Sequence, residues 1–150
     1  MEKNVIISIK GMQSYDGAGD DAIELVTEGR LLDCGDDGLS LSYQESELTG
    51  MEGTTTTFHI EKDQITLIRE GTLTSEMIFQ VGKKHFSPYQ TPFGGIILGV
   101  NTQKAFSDMT ETGGSISIRY IMEVENERVG ENSFEIQVSE LTPGSLPLDQ

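Results

Sequence analysis

Residues 116–124 have the sequence ISIRYIMEV. Its apolar or aromatic side chains fall on every second residue: Ile116, Ile118, Tyr120, Met122 and Val124. An alternation with a period of two places successive side chains on opposite faces of an extended chain, so it predicts a half-buried strand. Similar alternation recurs from Val5 near the start of the chain to Val138 near its end. The pattern therefore predicts about ten strands.

The composition and the connections between these segments point the same way. Residues that favour strands (Val, Ile, Thr, Phe and Tyr) make up about 30% of the 150 residues, whereas alanine, the best helix former, occurs three times. Short segments rich in Gly and Asp separate the strands and are typical of hairpin turns. They lie at residues 36–38, 61–64, 70–71, 81–82 and 113–114.

Strands joined by short turns predict an all-β fold, a single antiparallel meander of about 8–10 strands. A sheet of this length exposes two edges unless it closes, so we expect a barrel whose last strand returns beside the first. A sandwich of two sheets is the alternative. Residues 102–109 could form a helical turn, although they lack the periodicity of a long helix. Residues 1–150 are expected to form one β-barrel domain, with a loose tail at 143–150.

The net charge of −15, from 25 acidic and 10 basic residues, argues against binding to nucleic acid or to an anionic membrane surface. No apolar run approaches the roughly 20 residues of a membrane-spanning helix. The single cysteine, Cys34, excludes an internal disulfide. With no targeting segment in view, these features predict a cytoplasmic protein.

A set of short motifs resembles the YwiB-like family of small bacterial proteins of unknown function. The most specific is Tyr89-Gln90-Thr91-Pro92-Phe93-Gly94, followed by a glycine-rich strand. The others are residues 27–29, 41–45, 53–56, 68–71 and 118–120. The resemblance covers Val5 to Leu141 and implies a barrel similar to the calycins and lipocalins. The chain has no tryptophan, so it lacks the Gly-x-Trp signature of true lipocalins. The family has no established catalytic residues.

Strand parity identifies the candidate site. The apolar face of Leu39, Leu41 and Tyr43 continues to Glu45, and the face of Ile65 and Leu67 continues to Arg69. Both charged side chains should therefore point into the barrel, where an unpaired ion is strongly unfavourable. We expect them to meet or to share a polar cluster, with hydroxyl groups from Tyr43, Tyr89, Thr91 and Tyr120. The cluster could orient a ligand, or it could be a structural ion pair that fixes strand register.

The sequence gives little support for metal binding or catalysis. The two histidines, His59 and His85, lack the spacing of a metal site, and the acidic residues 16–21 lack the ligand pattern of a calcium loop. We therefore predict no metal and no cofactor. Cys34 is interpreted as a small residue at a strand end. An enzyme would need a perturbed acid or base in a cleft, and only Glu45 and Arg69 are candidates, so catalysis is left open and is not favoured.

Charge is distributed unevenly. Residues 1–53 carry a net −9, residues 54–110 a net charge of zero and residues 111–150 a net −6. Barrel closure should bring the two acidic blocks together and leave a near-neutral flank that carries Lys83, Lys84 and His85. Glu123, Glu125 and Glu127 are expected to form an acidic outer stripe on one strand.

Two functions remain. The favoured one is a non-catalytic binding module that holds a small apolar or amphipathic ligand in the barrel. The alternative is a solid barrel that binds a protein partner or a second copy through an outer face, as in a homodimer. Isoleucines on otherwise polar faces (Ile6, Ile97 and Ile121) would support the alternative.

Overall fold

The computed structural model describes residues 2–15, 19–45, 52–71, 74–91 and 94–141. It contains ten strands that follow the alternation of the sequence. They are β1 (Glu2–Tyr15), β2 (Gly19–Asp33), β3 (Leu39–Gln44), β4 (Thr54–Ile60), β5 (Ile65–Gly71), β6 (Ser75–Phe79), β7 (Lys84–Thr91), β8 (Gly94–Ser107), β9 (Gly113–Val124) and β10 (Glu127–Glu140). A 3₁₀ turn at Gly35–Asp37 joins β2 to β3. The all-β prediction is confirmed.

The strands form one antiparallel sheet in the order β6-β5-β4-β3-β2-β1-β10-β9-β8-β7. The first and last strands pair over a long stretch, from Val5 opposite Glu140 to Tyr15 opposite Gly130. This pairing confirms the expected return of the last strand beside the first. It also makes the acidic segments at the two ends of the chain neighbours, because β1 lies between β2 and β10.

The barrel is nearly closed, and the gap lies between two strands that are consecutive in sequence. β6 and β7 are the two edges of the sheet, although a tight turn with a hydrogen bond from the Lys83 N–H to the Gln80 carbonyl joins them. Side chains bridge this seam. The Ser87 hydroxyl donates to the Glu76 carbonyl, and His85 Nε2 lies 3.0 Å from Gln80 Oε1. At the seam, side-chain hydrogen bonds therefore connect the two neighbouring strands, which backbone hydrogen bonds connect elsewhere in the sheet.

Most of the barrel interior is filled by the inward faces of the strands. The largest side chains that are fully buried are Ile7, Leu31, Leu41, Phe58, Leu67, Phe79, Ile116, Ile118 and Ile136. They come from strands on all sides of the barrel and belong to one continuous apolar cluster. These side chains fill the middle of the barrel with an apolar core.

The expected helical turn at residues 102–109 is wrong. β8 continues to Ser107 as a strand, with a register shift between Thr102 and Lys104. In a regular strand, successive inward side chains are two residues apart. Here they are three apart, because Thr102 is buried and the next inward residue, Ala105, packs against the core. A bulge of this kind breaks the period of two, and the sequence then loses its strand signature.

The expected acidic stripe on one strand is also wrong. β9 ends at Val124, and Glu125 and Asn126 form the turn to β10, with φ angles of 53° and 68°. Glu123 and Glu127 therefore lie on different strands, and the Glu123 carboxylate accepts a 2.7 Å hydrogen bond from Lys84 Nζ.

Within the described ranges, no helix has the length and apolar character needed to cross a membrane. The predicted loose tail at residues 143–150 lies outside the described residues.

Candidate functional site

Polar residues form two rows on facing walls of the barrel, each running across three neighbouring strands. On one wall, Tyr43, Thr56 and Arg69 are in register across β3, β4 and β5. On the other wall, Gln13, Asn132 and Tyr120 are in register across β1, β10 and β9. Residues in register on adjacent strands lie side by side on the same face, so each row is a continuous polar surface.

Glu45 is fixed at the end of the first row. The residue is 6% exposed, and its carboxylate accepts a hydrogen bond from the Thr56 hydroxyl, which is fully buried. Its backbone N–H donates to the Thr54 carbonyl at 2.8 Å, which continues the pairing of β3 with β4 by one residue. The pleat therefore extends unbroken to Glu45, as the parity argument requires.

Tyr43 is coupled electrostatically to both charged residues. Burial raises the pKa of its hydroxyl strongly, and the charge of Glu45 and a hydrogen bond to it raise the pKa further. The charge of Arg69 and a hydrogen bond with Thr56 act in the opposite direction and are smaller. The hydroxyl therefore keeps its proton at neutral pH, so it serves the site as a hydrogen-bond donor and not as a base.

Aromatic side chains pack against Tyr120 of the second row. Asn132 is 7% exposed, and its Nδ2 donates a 3.0 Å hydrogen bond to the Tyr120 hydroxyl. The Tyr120 ring packs at 4.8 Å from Phe79 and 6.4 Å from Phe134, between ring centroids. Phe58 packs edge-on against Phe134 at 6.1 Å. These contacts hold the Tyr120 ring in place beside Asn132.

A cavity of about 200 Å³ lies between the two rows, at the end of the barrel where β3 and β5 finish. We call it the mouth cavity. Its lining combines the polar rows with aliphatic and aromatic side chains: Ile9, Gly11, Met12, Gln13, Ile23, Leu25, Tyr43, Glu45, Arg69, Tyr120, Asn132, Ser133 and Phe134.

Two buried polar atoms of this lining have no hydrogen-bond partner in the described part of the chain. They are Nε of Arg69 and Oδ1 of Asn132. A buried donor or acceptor without a partner destabilises a fold by about 1–3 kcal/mol. Such groups are uncommon in native structures, and a functional site is one of the places where they occur.

The structure brings together four of the six predicted site residues, since Tyr43, Glu45, Arg69 and Tyr120 all line the mouth cavity. Tyr89 and Thr91 belong to β7, but their side chains lie outside the described residues. Whether these six residues bind a ligand stays a prediction.

Sequence reasoning missed Gln13, Thr56 and Asn132, although strand parity places all three on inward faces. Asn132 continues the face of Phe134, and Thr56 continues the face of Phe58. Gln13 is in register with Asn132. Parity does not show which inward polar residues meet, because that depends on how the strands pair.

Two other cavities have different surroundings. One of about 510 Å³ lies near the point where β2 and β3 separate, with Glu28, Arg30 and Gln44 among its lining residues. One of about 700 Å³ lies at the opposite end of the barrel, among turn residues such as Glu61, Lys62 and Asp63. Among the described residues, no group of three or more His, Cys, Asp or Glu side chains is placed to hold a metal ion.

Comparison with known proteins gives a family and a fold. The model of a family described as "Domain of unknown function (DUF1934)" matches residues 7–136. The chain is similar to the crystal structure of the ywiB protein from Bacillus subtilis, with a TM-score of 0.81, 24% identity and coverage of 94% of both chains. At this identity the likeness shows the fold alone. No curated protein matches the chain.

Proposed function

Because the chain belongs to the family described as Domain of unknown function (DUF1934), we propose its function from the geometry of the mouth cavity. The protein is a non-catalytic binding module that holds a small, partly apolar ligand at the mouth of the barrel. The observation that carries this proposal is the cavity itself, which lies between two polar rows and beside the Tyr120 and Phe134 rings, next to the apolar core of the barrel.

The size of the cavity limits the ligand. Pockets that bind drug-sized molecules measure roughly 300–1,000 Å³, and the mouth cavity measures about 200 Å³. An apolar cavity of roughly 150 Å³ is large enough to bind benzene. The ligand is therefore a single ring or a short branched chain with one polar group, and a long fatty acid does not fit inside the cavity.

A cavity-filling variant tests the proposal. A Cβ added at Gly11 has no heavy atom closer than 3.8 Å, so Gly11→Leu should fold and should place its side chain in the cavity. The matched control is Lys10→Leu, which adds the same side chain one residue away on the exposed face of β1.

We expect native mass spectrometry of freshly purified protein to show a bound small molecule, and ligand-observed NMR to detect binding of single-ring fragments. Gly11→Leu should abolish both signals, and Lys10→Leu should leave them unchanged. If wild type retains no molecule and its fragment signals equal those of Gly11→Leu, the binding-module proposal is wrong.

A second candidate function is self-association through the outer face of β7 and β8. Phe86 is 61% exposed and Ile97 is 53% exposed, and Pro88 lies opposite Ile97 in the same pair of strands. Neighbouring exposed apolar side chains are typical of an interaction surface. Sedimentation of the wild type should show a homodimer that the double variant Phe86→Ser/Ile97→Ser converts to monomer. A monomeric wild type at high concentration would contradict this candidate.

A further inference from the structure

From the two unpartnered atoms of the mouth cavity, we infer that its ligand carries an uncharged carboxamide group on a small apolar body. The inference rests on the proposed function, because it names the chemical class of the ligand bound there. Three features of the lining support it: the hydrogen-bonding groups, the charge and the shape.

Among the described residues, the lining contains one buried donor and one buried acceptor without a partner. The Arg69 Nε–H can only donate, since a guanidinium group has no acceptor. Asn132 Oδ1 can only accept, and in the structure the amide has its Nδ2 on the Tyr120 hydroxyl, which leaves Oδ1 without a partner. The two residues lie on β5 and β10, in the two facing rows. A group that bridges the rows must therefore accept on one side and donate on the other.

A carboxamide has both functions on one planar group. In the structure Arg69 Nε and Asn132 Oδ1 are both covered, so binding requires a small rotation of each side chain toward the cavity. The carbonyl oxygen of the carboxamide can then accept from the Arg69 Nε–H while its N–H donates to Asn132 Oδ1. A ketone satisfies the arginine alone, and a carboxylate offers no proton to the asparagine. Either would leave Asn132 Oδ1 buried without a partner, which weakens binding.

The charge of the lining favours a neutral ligand. Glu45 and Arg69 are the charged residues in the described lining, so their formal charges cancel. Glu45 accepts from Thr56 and is coupled to the protonated hydroxyl of Tyr43. An anionic ligand would add a second negative charge to a partly enclosed site, where an uncompensated ion is strongly unfavourable.

The remaining lining fits an apolar body. Ile9, Leu25 and Phe134 supply aliphatic and aromatic contacts next to the polar rows. The volume of about 200 Å³ suits one ring with one substituent. Benzamide has this size and both hydrogen-bonding functions, so it is a suitable probe.

Four fragments of similar shape test the inference by ligand-observed NMR titration of the wild-type protein. Benzamide has the donor and the acceptor, acetophenone has the acceptor alone, toluene has neither, and benzoate has two acceptors and a charge. We expect benzamide to bind about tenfold more tightly than benzoate and at least about threefold more tightly than acetophenone. Toluene should bind more weakly than either benzoate or acetophenone.

A conservative substitution locates the interaction. Arg69→Lys keeps the charge and removes the Nε–H, so the affinity for benzamide should fall about fivefold, with little change for toluene. The control is Arg119→Lys, which makes the same change on the exposed face of β9 and should leave every affinity unchanged. Thermal melts of both variants verify that they are folded.

The outcomes separate this inference from the proposed function. If no fragment distinguishes wild type from Gly11→Leu, the cavity binds nothing and both proposals fail. If the fragments bind in the cavity but benzoate or acetophenone binds as tightly as benzamide, the binding module stands and the carboxamide inference is overturned. Equal affinities of Arg69→Lys and wild type for benzamide would also overturn it.

Discussion

Tyr43 shows how burial sets the chemistry of a single side chain in the mouth cavity. Its hydroxyl lies beside a carboxylate and near a guanidinium group, and the pKa is raised because burial and Glu45 outweigh Arg69. In the unfolded chain the pKa of a tyrosine is about 10. The folded state therefore binds this proton more tightly than the unfolded state does.

The stability of the protein should reflect this difference in proton binding. A raised pKa in the folded state contributes stability that is fully present below about pH 10 and is lost as the pH rises above it. Tyr43→Phe removes the group, so we expect the free energy of unfolding of wild type to fall relative to that of the variant by about 1.4 kcal/mol per pH unit above pH 10. Urea unfolding of both proteins at pH 8, 10 and 11 measures this. Parallel pH profiles would contradict the assignment.

The β9–β10 hairpin has a turn whose backbone does not suit its residues. Val124 pairs with Glu127, so the connection has two residues, and both Glu125 and Asn126 have positive φ angles. Two residues with positive φ define a type I′ turn, in which Asn-Gly is the favoured pair. The asparagine side chain can hydrogen-bond to the nearby backbone, so asparagine tolerates the left-handed conformation. The longer glutamate side chain does not offset its cost in this way.

Replacing the turn by Asn-Gly should stabilise the protein. The double variant Glu125→Asn/Asn126→Gly places a tolerant residue at 125 and the favoured glycine at 126, and we expect a gain of about 1 kcal/mol in the free energy of unfolding. The control is Glu127→Asn, which changes the charge by the same amount at a position on the strand. An equal gain in the control would show that relief of charge repulsion, and not turn geometry, is responsible.

The two sides of the sheet differ in the length and pairing of their strands, and so in their expected local stability. β1 pairs with a long strand on each side, β2 and β10, and this region also joins the acidic ends of the chain. On the far side, β6 has five residues and pairs only with β5. Stability within a fold follows the density of ladder hydrogen bonds and buried contacts, so the seam between β6 and β7 should open first.

Hydrogen exchange tests this order of opening. We expect the amides of β1 and β10 to exchange most slowly and those of β6 and β7 to exchange fastest among the strands. Ser87→Ala removes the hydroxyl that donates to the Glu76 carbonyl, so it should speed exchange at the seam with little effect on β1. The control is Ser8→Ala, at an exposed position on β1. If Ser87→Ala speeds exchange in β1 and β6 equally, the seam is not an independent unit.

Much of the fold and half of the polar site could be predicted from local patterns. The alternation of apolar and polar residues located nearly every strand, and the same parity placed Tyr43, Glu45 and Arg69 on inward faces. It failed at residues 102–109, where a bulge breaks the period, and at Glu125, where a turn interrupts the row of acidic residues. In both places an irregularity of the backbone decides the direction of the side chain. The period of two in the sequence does not reveal such an irregularity.

Strand positions and the faces of their side chains follow from the order of residues alone, because a period of two is a property of the extended backbone and of burial. The pairing of Asn132 with Tyr120 opposite Arg69 depends on how the sheet closes, and so do the location of the seam and the orphaned atoms that line the mouth cavity. These features join residues that are far apart in the chain. Their geometry is set by the stagger and curvature of the whole sheet, which no local segment contains.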